Sequence, residues 1–208
     1  MPEVGELRVV DGFRLEKKYR EALLPGGALP DERGGSRQLP RYFYEVPSWE
    51  AAREIDLAPH FQLWEFIHTD VREAPPLRLF PRYVPCVVTL TAQVLEVLRD
   101  AVGATVRIAA NGGYRSPRHQ LSRNASAHCW ATAVNIYRIG DVHLDSRESI
   151  ERFGAIARQE LPGIWMRPFG SARGFADDHL HLDLGFVVAT PHDAPADPHN
   201  PKLESDPL

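Results

Sequence analysis

Cysteine is scarce in this 208-residue sequence, which contains only Cys86 and Cys129. Two thiols are too few for a disulfide framework, and they cannot supply the four sulfur ligands of a Cys₄ zinc site. A lone buried cysteine usually packs as a small apolar side chain. Thiol chemistry is therefore not expected to be the basis of function.

The chain also lacks a long apolar run and an excess of positive charge. No stretch approaches the roughly 20 apolar residues of a membrane span, and the first residues lack the layout of a secretory signal. The net charge is -4 and the pI is about 6.1, so a basic surface for nucleic acid is not indicated. We expect a cytoplasmic protein with no nucleic-acid or membrane partner.

Length and composition favour one core with extensions. Hydrophobic residues make up 43% of the chain, which is enough for a single well-buried domain. Residues 1–56 include PGGALPDERGGSRQLP, in which glycine and proline interrupt helix and strand periods, so they predict an irregular extension, either a lid or a packing arm. Residues 57–188 form the predicted domain, and residues 189–208 are predicted to be a flexible tail.

Periodicity predicts an α+β fold with a mainly antiparallel sheet and flanking helices. A helix is expected over 91–102, capped by Thr89 or Thr91 and ended by Gly103, and a second over 146–161, started by a capping box of Asp145 and Glu148. Short β-branched or alternating segments predict the strands, which fall at about 106–110, 134–139, 163–169 and 179–188.

Three histidines indicate a metal site. His179 and His181 are two residues apart in a predicted strand, so their side chains face the same way, and His128 can join them from another segment. Imidazole nitrogens suit zinc or another divalent first-row metal. An HxH pair alone is a weak signal, because strand histidines are more often solvated or structural.

The ordered motifs strengthen that interpretation. GGYRSP (112–117), SAHCWATAVNI (126–136) and DDHLHLDLG (177–185) resemble, in order and spacing, the zinc D-Ala-D-Ala carboxypeptidases and peptidoglycan peptidases of the M15 family. HFQLWEF and the helix that follows are also similar, and the resemblance covers about residues 57–187. It implies the hedgehog/DD-peptidase fold and a zinc-dependent hydrolase of short peptides.

The resemblance also implies roles for individual residues. The metal ligands would be His128, Asn135 and His181, with Zn²⁺ as the expected ion. The catalytic acid falls on Asp178, and His179 is grouped with it as a catalytic residue.

Three further residues are implied to bind substrate. Arg115 would hold the terminal carboxylate of a small peptide or another small carboxylate, since a guanidinium grips a carboxylate through paired charge-assisted bonds. Ser126 would orient the site with its hydroxyl, and Trp130 would line the pocket. The alternatives are that Arg115 fastens its loop, Ser126 is a turn residue and Trp130 is core.

Two positions depart from the family pattern. Ala131 stands where the family has glycine, which matters only if the backbone there has a positive φ. Asn135 stands where the family has the zinc-binding aspartate. An amide offers only a neutral oxygen, so the site loses a negative charge and part of its affinity for a dication.

The asparagine leaves three interpretations open. The first is a peptidase in which Asn135 binds weakly or His179 becomes a third nitrogen ligand. The second is another metal reaction on the same scaffold, because two histidines with Asp178 or Asp183 resemble the facial arrangement used by Fe(II). The third is a catalytically inactive protein that binds a ligand or partner in the cleft.

Overall fold

The computed structural model describes residues 7–122, 124–170 and 177–195. The α-helices are α1 (Lys17–Leu23), α2 (Trp49–Glu54), α3 (Leu63–Ile67), α4 (Val88–Val102) and α5 (Arg147–Glu160). The strands are β1 (Arg8–Asp11), β2 (Ala28–Pro30), β3 (Ser36–Gln38), β4 (Tyr42–Glu45), β5 (Asp56–Ala58), β6 (Phe61–Gln62), β7 (Tyr83–Pro85), β8 (Val106–Ile108), β9 (Ala133–Ile139), β10 (Val142–His143), β11 (Trp165–Met166) and β12 (Leu180–Asp183).

The strands form antiparallel sheets. β9 is central to the largest of them, where it pairs with β8, β10 and β12, and β11 extends the sheet beyond β12. A second sheet has the order β1-β4-β7, and two hairpins, β2-β3 and β5-β6, complete the set within the described residues. The predicted α+β class with a mainly antiparallel sheet is confirmed.

The amino-terminal region is more regular than the sequence predicts. Residues 1–56 were expected to be irregular, but β1 and β4 pair with each other in this region, and β4 also pairs with β7. Val10 and Phe43 lie in the same buried cluster as Val84 and Leu95, so the arm packs into the core of the domain. The expectation of an irregular extension is wrong. Strand β7, which pairs with β4 and completes this sheet, lies about 40 residues after β4 in the chain.

Helix α4 ends where the sequence predicts but begins earlier. Gly103 has φ 60° and closes the helix in the left-handed region, as expected of a glycine at this position. At the other end, the cap residue Val87 makes no side-chain hydrogen bond. Thr89 and Thr91 instead donate their hydroxyls to the carbonyls of Cys86 (3.2 Å) and Ala131 (2.7 Å), so the predicted threonine cap is wrong.

Helix α5 has a capping box one residue later than predicted. Ser146 accepts the Ser149 N–H at 3.2 Å, and its own N–H donates to Ser149 Oγ at 3.3 Å. The predicted pair of Asp145 and Glu148 is shifted by one, because Arg147 is the first helical residue. Ile150 and Phe153 face the core as expected.

None of the helices in the part of the chain that the structure describes is long and apolar enough to cross a membrane.

Part of the predicted tail is packed against the domain. Ala189 and Ala194 contact a small buried cluster that contains Val9 and Tyr42. Residues 196–208 lie outside the described residues.

Gly113 is the glycine whose replacement should cost most stability. A Cβ there would collide with the carbonyl oxygen and Cα of Phe66, which are backbone atoms that cannot move aside alone. We expect Gly113→Ala to lower the free energy of unfolding by about 1–3 kcal/mol, as overpacking in a close-packed interior does. Urea unfolding measures the change.

The matched control for that substitution is Gly154→Ala in α5. A Cβ there meets only ordinary van der Waals contacts, the nearest at 3.6 Å, and alanine has the higher helix propensity. This variant should be unchanged or more stable by up to about 1 kcal/mol. An equal change in the free energy of unfolding of the two variants would show that the close contact between Gly113 and the Phe66 backbone does not limit packing.

Candidate metal centre and cleft

Adjacent strands bring Asn135 and His181 together. The two residues are directly opposite each other in the β9–β12 ladder, so their side chains share one face of the sheet. The Asn135 Oδ1 and His181 Nδ1 atoms are 2.8 Å apart. On its other edge, Asn135 is held through backbone hydrogen bonds to Ala109 (2.9 Å) and Gly112 (2.7 Å).

His128 reaches the same place from the 3-10 helix Ala127–Trp130. Its Nδ1 lies 2.7 Å from the carbonyl oxygen of Gly113, and because a carbonyl only accepts, Nδ1 carries the hydrogen. Nε2 is then the nitrogen with a free lone pair. The His128 and His181 rings are 5.2 Å apart between centroids, so the expected convergence of His128, Asn135 and His181 is observed.

The spacing of the two histidine rings matches that of two imidazoles on one tetrahedral cation. Two imidazoles that bind one zinc at about 2.0 Å have centroids roughly 5 Å apart, and two donor atoms on one zinc are roughly 3.3 Å apart. The His128–His181 spacing meets the first value. Asn135 Oδ1 and His181 Nδ1 share a hydrogen bond at 2.8 Å, so the nitrogen must lose its hydrogen and the two atoms must separate by about 0.5 Å before both can bind one ion. Residues that fit a metal are therefore present, although one donor is a neutral amide.

The charge of the trio is its departure from an ordinary zinc site. Within the described residues, no three His, Cys, Asp or Glu side chains are grouped so as to hold a metal. The group is complete only when the amide of Asn135 is included. Asp183 is the nearest acid to the ring of His181, with Oδ2 3.5 Å from Nε2.

Both histidines are prepared to act as neutral ligands. Burial lowers the pKa of His128 well below its usual value, and the charge of Arg115 lowers it further. Burial also lowers the pKa of His181, against the opposing effect of its contact with Asp183. Metal binding requires unprotonated imidazoles, so neither ring must first lose a proton near neutral pH.

Ala131 has a backbone conformation that favours glycine. It ends the 3-10 helix with φ 58°, in the left-handed region where a Cβ is unfavourable by about 1–2 kcal/mol. The backbone at Ala131 therefore has the positive φ at which alanine is less favourable than glycine. The conformation is kept by the hydrogen bond that the Ala131 carbonyl accepts from Thr91.

Arg115 is a buried guanidinium beside the histidines. The residue is only 8% exposed, its N–H donates to the carbonyl of His128 (3.2 Å), and its Nε has no hydrogen-bond partner. Burial lowers its pKa to about 10, so it remains charged near neutral pH. A buried charge without a bonded carboxylate is costly, and a ligand carboxylate would relieve that cost.

Glu73 fixes the loop that carries Arg115. This carboxylate is buried and accepts the Ser116 N–H (3.1 Å), the Ser116 hydroxyl (2.5 Å) and the Ala74 N–H (2.6 Å). Sequence analysis could not predict this role, because Glu73 is 43 residues from its main partner, Ser116.

Asp178, His179 and Arg167 form a hydrogen-bonded chain. Arg167 Nη2 can only donate, and it lies 2.7 Å from His179 Nε2, so His179 Nδ1 carries the hydrogen and donates to Asp178 Oδ1 at 2.5 Å. Both ring nitrogens of His179 are therefore engaged, which disfavours it as a third metal ligand. The Asp178 side chain is 65% exposed and is open to a substrate or to water.

A cleft of about 880 Å³ opens beside His181. Its walls include Ser126, Trp165, Arg167 and the turn of the β2–β3 hairpin. Ser126 thus lies on the cleft, as the resemblance implies. Trp165 stands edge-on to His181 with ring centroids 5.5 Å apart, and half of its surface is exposed.

Trp130 does not line the cleft, and that expectation is wrong. It is fully buried, its Nε1 donates to the carbonyl of Gln38 at 2.8 Å, and its ring packs against Phe186. The tryptophan of the cleft is Trp165, which the sequence analysis missed together with Arg167. No local pattern in the sequence indicates this, because Trp165 lies 14 residues before the HxH segment and only the pairing of β11 with β12 brings it to His181.

Comparison of this chain with protein-family models, with curated proteins and with solved structures finds no match. The M15 resemblance therefore depends on the three motifs and on the geometry described above.

Proposed function

We propose that this protein is a zinc-dependent metallopeptidase of the M15 type, with the hedgehog/DD-peptidase fold, acting on short peptides that end in a free carboxylate. One observation carries the proposal: two buried neutral imidazoles with centroids 5.2 Å apart lie beside a buried arginine that forms no ion pair with any carboxylate of the described residues. Together they support a site that would activate a carbonyl beside an anchor for a carboxyl terminus.

His128, His181 and Asn135 would hold the metal, which supplies a bound water acidic enough to attack a peptide carbonyl near neutral pH. The hydrogen bond from His128 Nδ1 to Gly113 keeps Nε2 as the donor atom. Trp165 stands edge-on to His181 with ring centroids 5.5 Å apart and would cover one side of that ring.

Arg115 would anchor the substrate. Its guanidinium lies close enough to His128 and His181 to lower the pKa of both, so a carboxylate bound there lies within a short peptide's length of the metal position. Glu73 keeps the arginine loop in place through its bonds to Ser116. The bound carboxylate would fix which peptide bond faces the metal.

Asp178 would move the proton. Its carboxylate is exposed, and the contact with His179 orients it. A carboxylate in this position can take a proton from the attacking water and deliver it to the leaving amine. His179 is the positioning residue of this pair, because Arg167 and Asp178 occupy both of its ring nitrogens.

Arg115 provides the test. We expect Arg115→Gln to lower kcat/KM for peptides with a free carboxyl terminus by about 10- to 100-fold, because one charge-assisted pair is lost. For the amidated forms of the same peptides, kcat/KM should change by less than about threefold. Steady-state kinetics on paired free-acid and amidated peptides ending in D-alanine measure the difference.

Arg118→Gln is the control for that measurement, because Arg118 is exposed on the same loop and should leave both peptide forms unaffected. Arg115→Lys keeps the charge, and circular dichroism shows which variants remain folded. Equal loss for acids and amides in a folded Arg115 variant would overturn the anchoring role.

A second function is favoured by one contact. The 2.8 Å hydrogen bond between Asn135 and His181 satisfies both side chains with no metal between them, as a ligand-binding protein without catalysis would require. In that case peptides should bind with the same affinity in the presence and absence of a strong chelator. No turnover should occur at any zinc concentration.

A further inference from the structure

The β2–β3 hairpin is fixed to the segment that carries His128. The Ala125 N–H donates to the carbonyl of Pro30 (2.8 Å), and Trp130 Nε1 donates to the carbonyl of Gln38 (2.8 Å). Leu39, directly after the hairpin, packs with Cys129 and Trp130 in one buried cluster. The arm therefore forms a fixed wall of the cleft.

The cleft is larger than a dipeptide requires. At about 880 Å³ it lies toward the upper end of the range of roughly 300–1,000 Å³ that is usual for ligand pockets. It extends from His181 to the hairpin turn at Asp31, Glu32 and Arg33. A ligand bound at His181 therefore has room to continue along the arm.

Two acids of this cleft already accept hydrogen bonds within the protein. Asp31 Oδ1 accepts the N–H groups of Arg33 (2.9 Å) and Gly35 (2.8 Å), and its Oδ2 pairs with Arg37 at 2.9 Å. Across the cleft, Asp183 Oδ1 accepts the N–H of Gly185 at 2.7 Å. Asp31 therefore has little capacity left for a ligand.

The arginines of the wall keep donors available. Arg33 is exposed, and its side chain makes no hydrogen bond or ion pair within the described residues. Arg37 uses one nitrogen for Asp31, lies over the ring of Phe186 at 5.1 Å and remains 44% exposed. Glu32 is exposed in the same turn, and together with Asp31 it balances the formal charges of Arg33 and Arg37. The attraction for an anion therefore comes from the available donor groups of Arg33 and Arg37 and not from a net positive charge.

Large apolar side chains lie between the histidines and the arginines. Leu121, Trp165 and Phe186 all line the cleft and are among the exposed large hydrophobic residues of the described chain. Such a patch, bordered by guanidinium groups, is typical of a ligand site rather than of free surface.

We propose that the β2–β3 hairpin forms a second binding region of this cleft, which takes an acidic side chain of an extended peptide. Arg33 and Arg37 bind the carboxylate, and Trp165 and Phe186 contact the apolar groups between it and His181. The statement that the peptide's reacting end lies at His181 rests on the proposed function. The hairpin's preference for an acidic peptide does not.

The test is equilibrium binding, measured by calorimetry with a chelator present, of two probe hexapeptides: Ac-Ala-Glu-Ala-Glu-Leu-Ala-NH₂ and the same peptide with glutamine for glutamate. Both are amidated, so neither Arg115 nor turnover contributes. The acidic probe should bind the native protein about tenfold more tightly, as one charge-assisted hydrogen bond predicts. Arg33→Gln should reduce that preference, and Arg33→Gln with Arg37→Gln should remove it.

Two controls make the result specific. Arg53→Gln changes an exposed arginine on α2 outside the cleft and should keep the preference. Trp165→Ala should weaken both probes equally, because it removes apolar contact and no charge. Arg33→Gln alone leaves the Asp31–Arg37 pair intact, so the test survives if the double variant is unstable.

Equal binding of the two probes to the native protein, or an unchanged preference in Arg33→Gln and in a folded double variant, would overturn the inference. Neither result affects the comparison of free-acid and amidated peptides in the Arg115 variants. Conversely, a retained acidic preference together with equal loss of acids and amides in Arg115→Gln would contradict the proposed function and keep the second binding region.

Discussion

Asn135→Asp is expected to raise the affinity for zinc by at least 10- to 100-fold. The new carboxylate would stand 2.8 Å from His181 in a largely buried site, where a negative charge attracts a dication more strongly than an amide oxygen does. Hydrolysis of short peptides ending in D-alanine should rise with metal occupancy. Competition against a chromophoric chelator gives the affinity, and steady-state kinetics at saturating zinc give the activity.

The control is Asn124→Asp, which adds the same charge at an exposed position on the rim of the cleft. It should change zinc affinity by less than about threefold, because exposed charges are screened. Equal gains in both variants would mean that Asn135 is not a ligand position. A gain in metal without any activity on carboxyl-terminal peptides would favour the binding protein over the peptidase.

Asp178→Ala should lower kcat by about 10²- to 10⁴-fold, the usual contribution of a group that transfers a proton in the transition state. Metal content should not change, because the structure gives the Asp178 side chain a hydrogen bond to His179 and it is largely exposed. Single-turnover hydrolysis and metal analysis of the same preparation separate the two effects.

Asp178→Asn distinguishes proton transfer from positioning. The amide oxygen can still accept the His179 Nδ1–H, but the side chain cannot take up a proton at neutral pH. We expect it to be as inactive as the alanine variant. Full activity in Asp178→Asn would show that Asp178 only orients His179 and does not transfer a proton.

The elements that the sequence predicted correctly are those whose signals are local. Helix α5 shows apolar residues at helical spacing, and strand β9 is a β-branched run. The trio of His128, Asn135 and His181 was found because the motifs keep a fixed order. Its convergence requires the β9–β12 ladder, which places Asn135 opposite a residue 46 positions away.

What the sequence missed depends on contacts between distant segments. Strand β4 pairs with β7 about 40 residues later, and its four residues YFYE do not alternate between buried and exposed, so no period-two pattern indicated the strand. Arg167 and Trp165 belong to the cleft only because β11 is paired with β12. Trp130 was misplaced since an aromatic residue next to a ligand can face either the pocket or the core.

The metal role of the two histidines is tested most directly by titrating the metal-free protein with zinc. We expect the native chain to bind one equivalent, and His128→Ala and His181→Ala each to lose that binding, while His143→Ala, at an exposed strand position, keeps it. Native binding that survives in both His128→Ala and His181→Ala, or no binding by either the native protein or Asn135→Asp, would contradict the metal site.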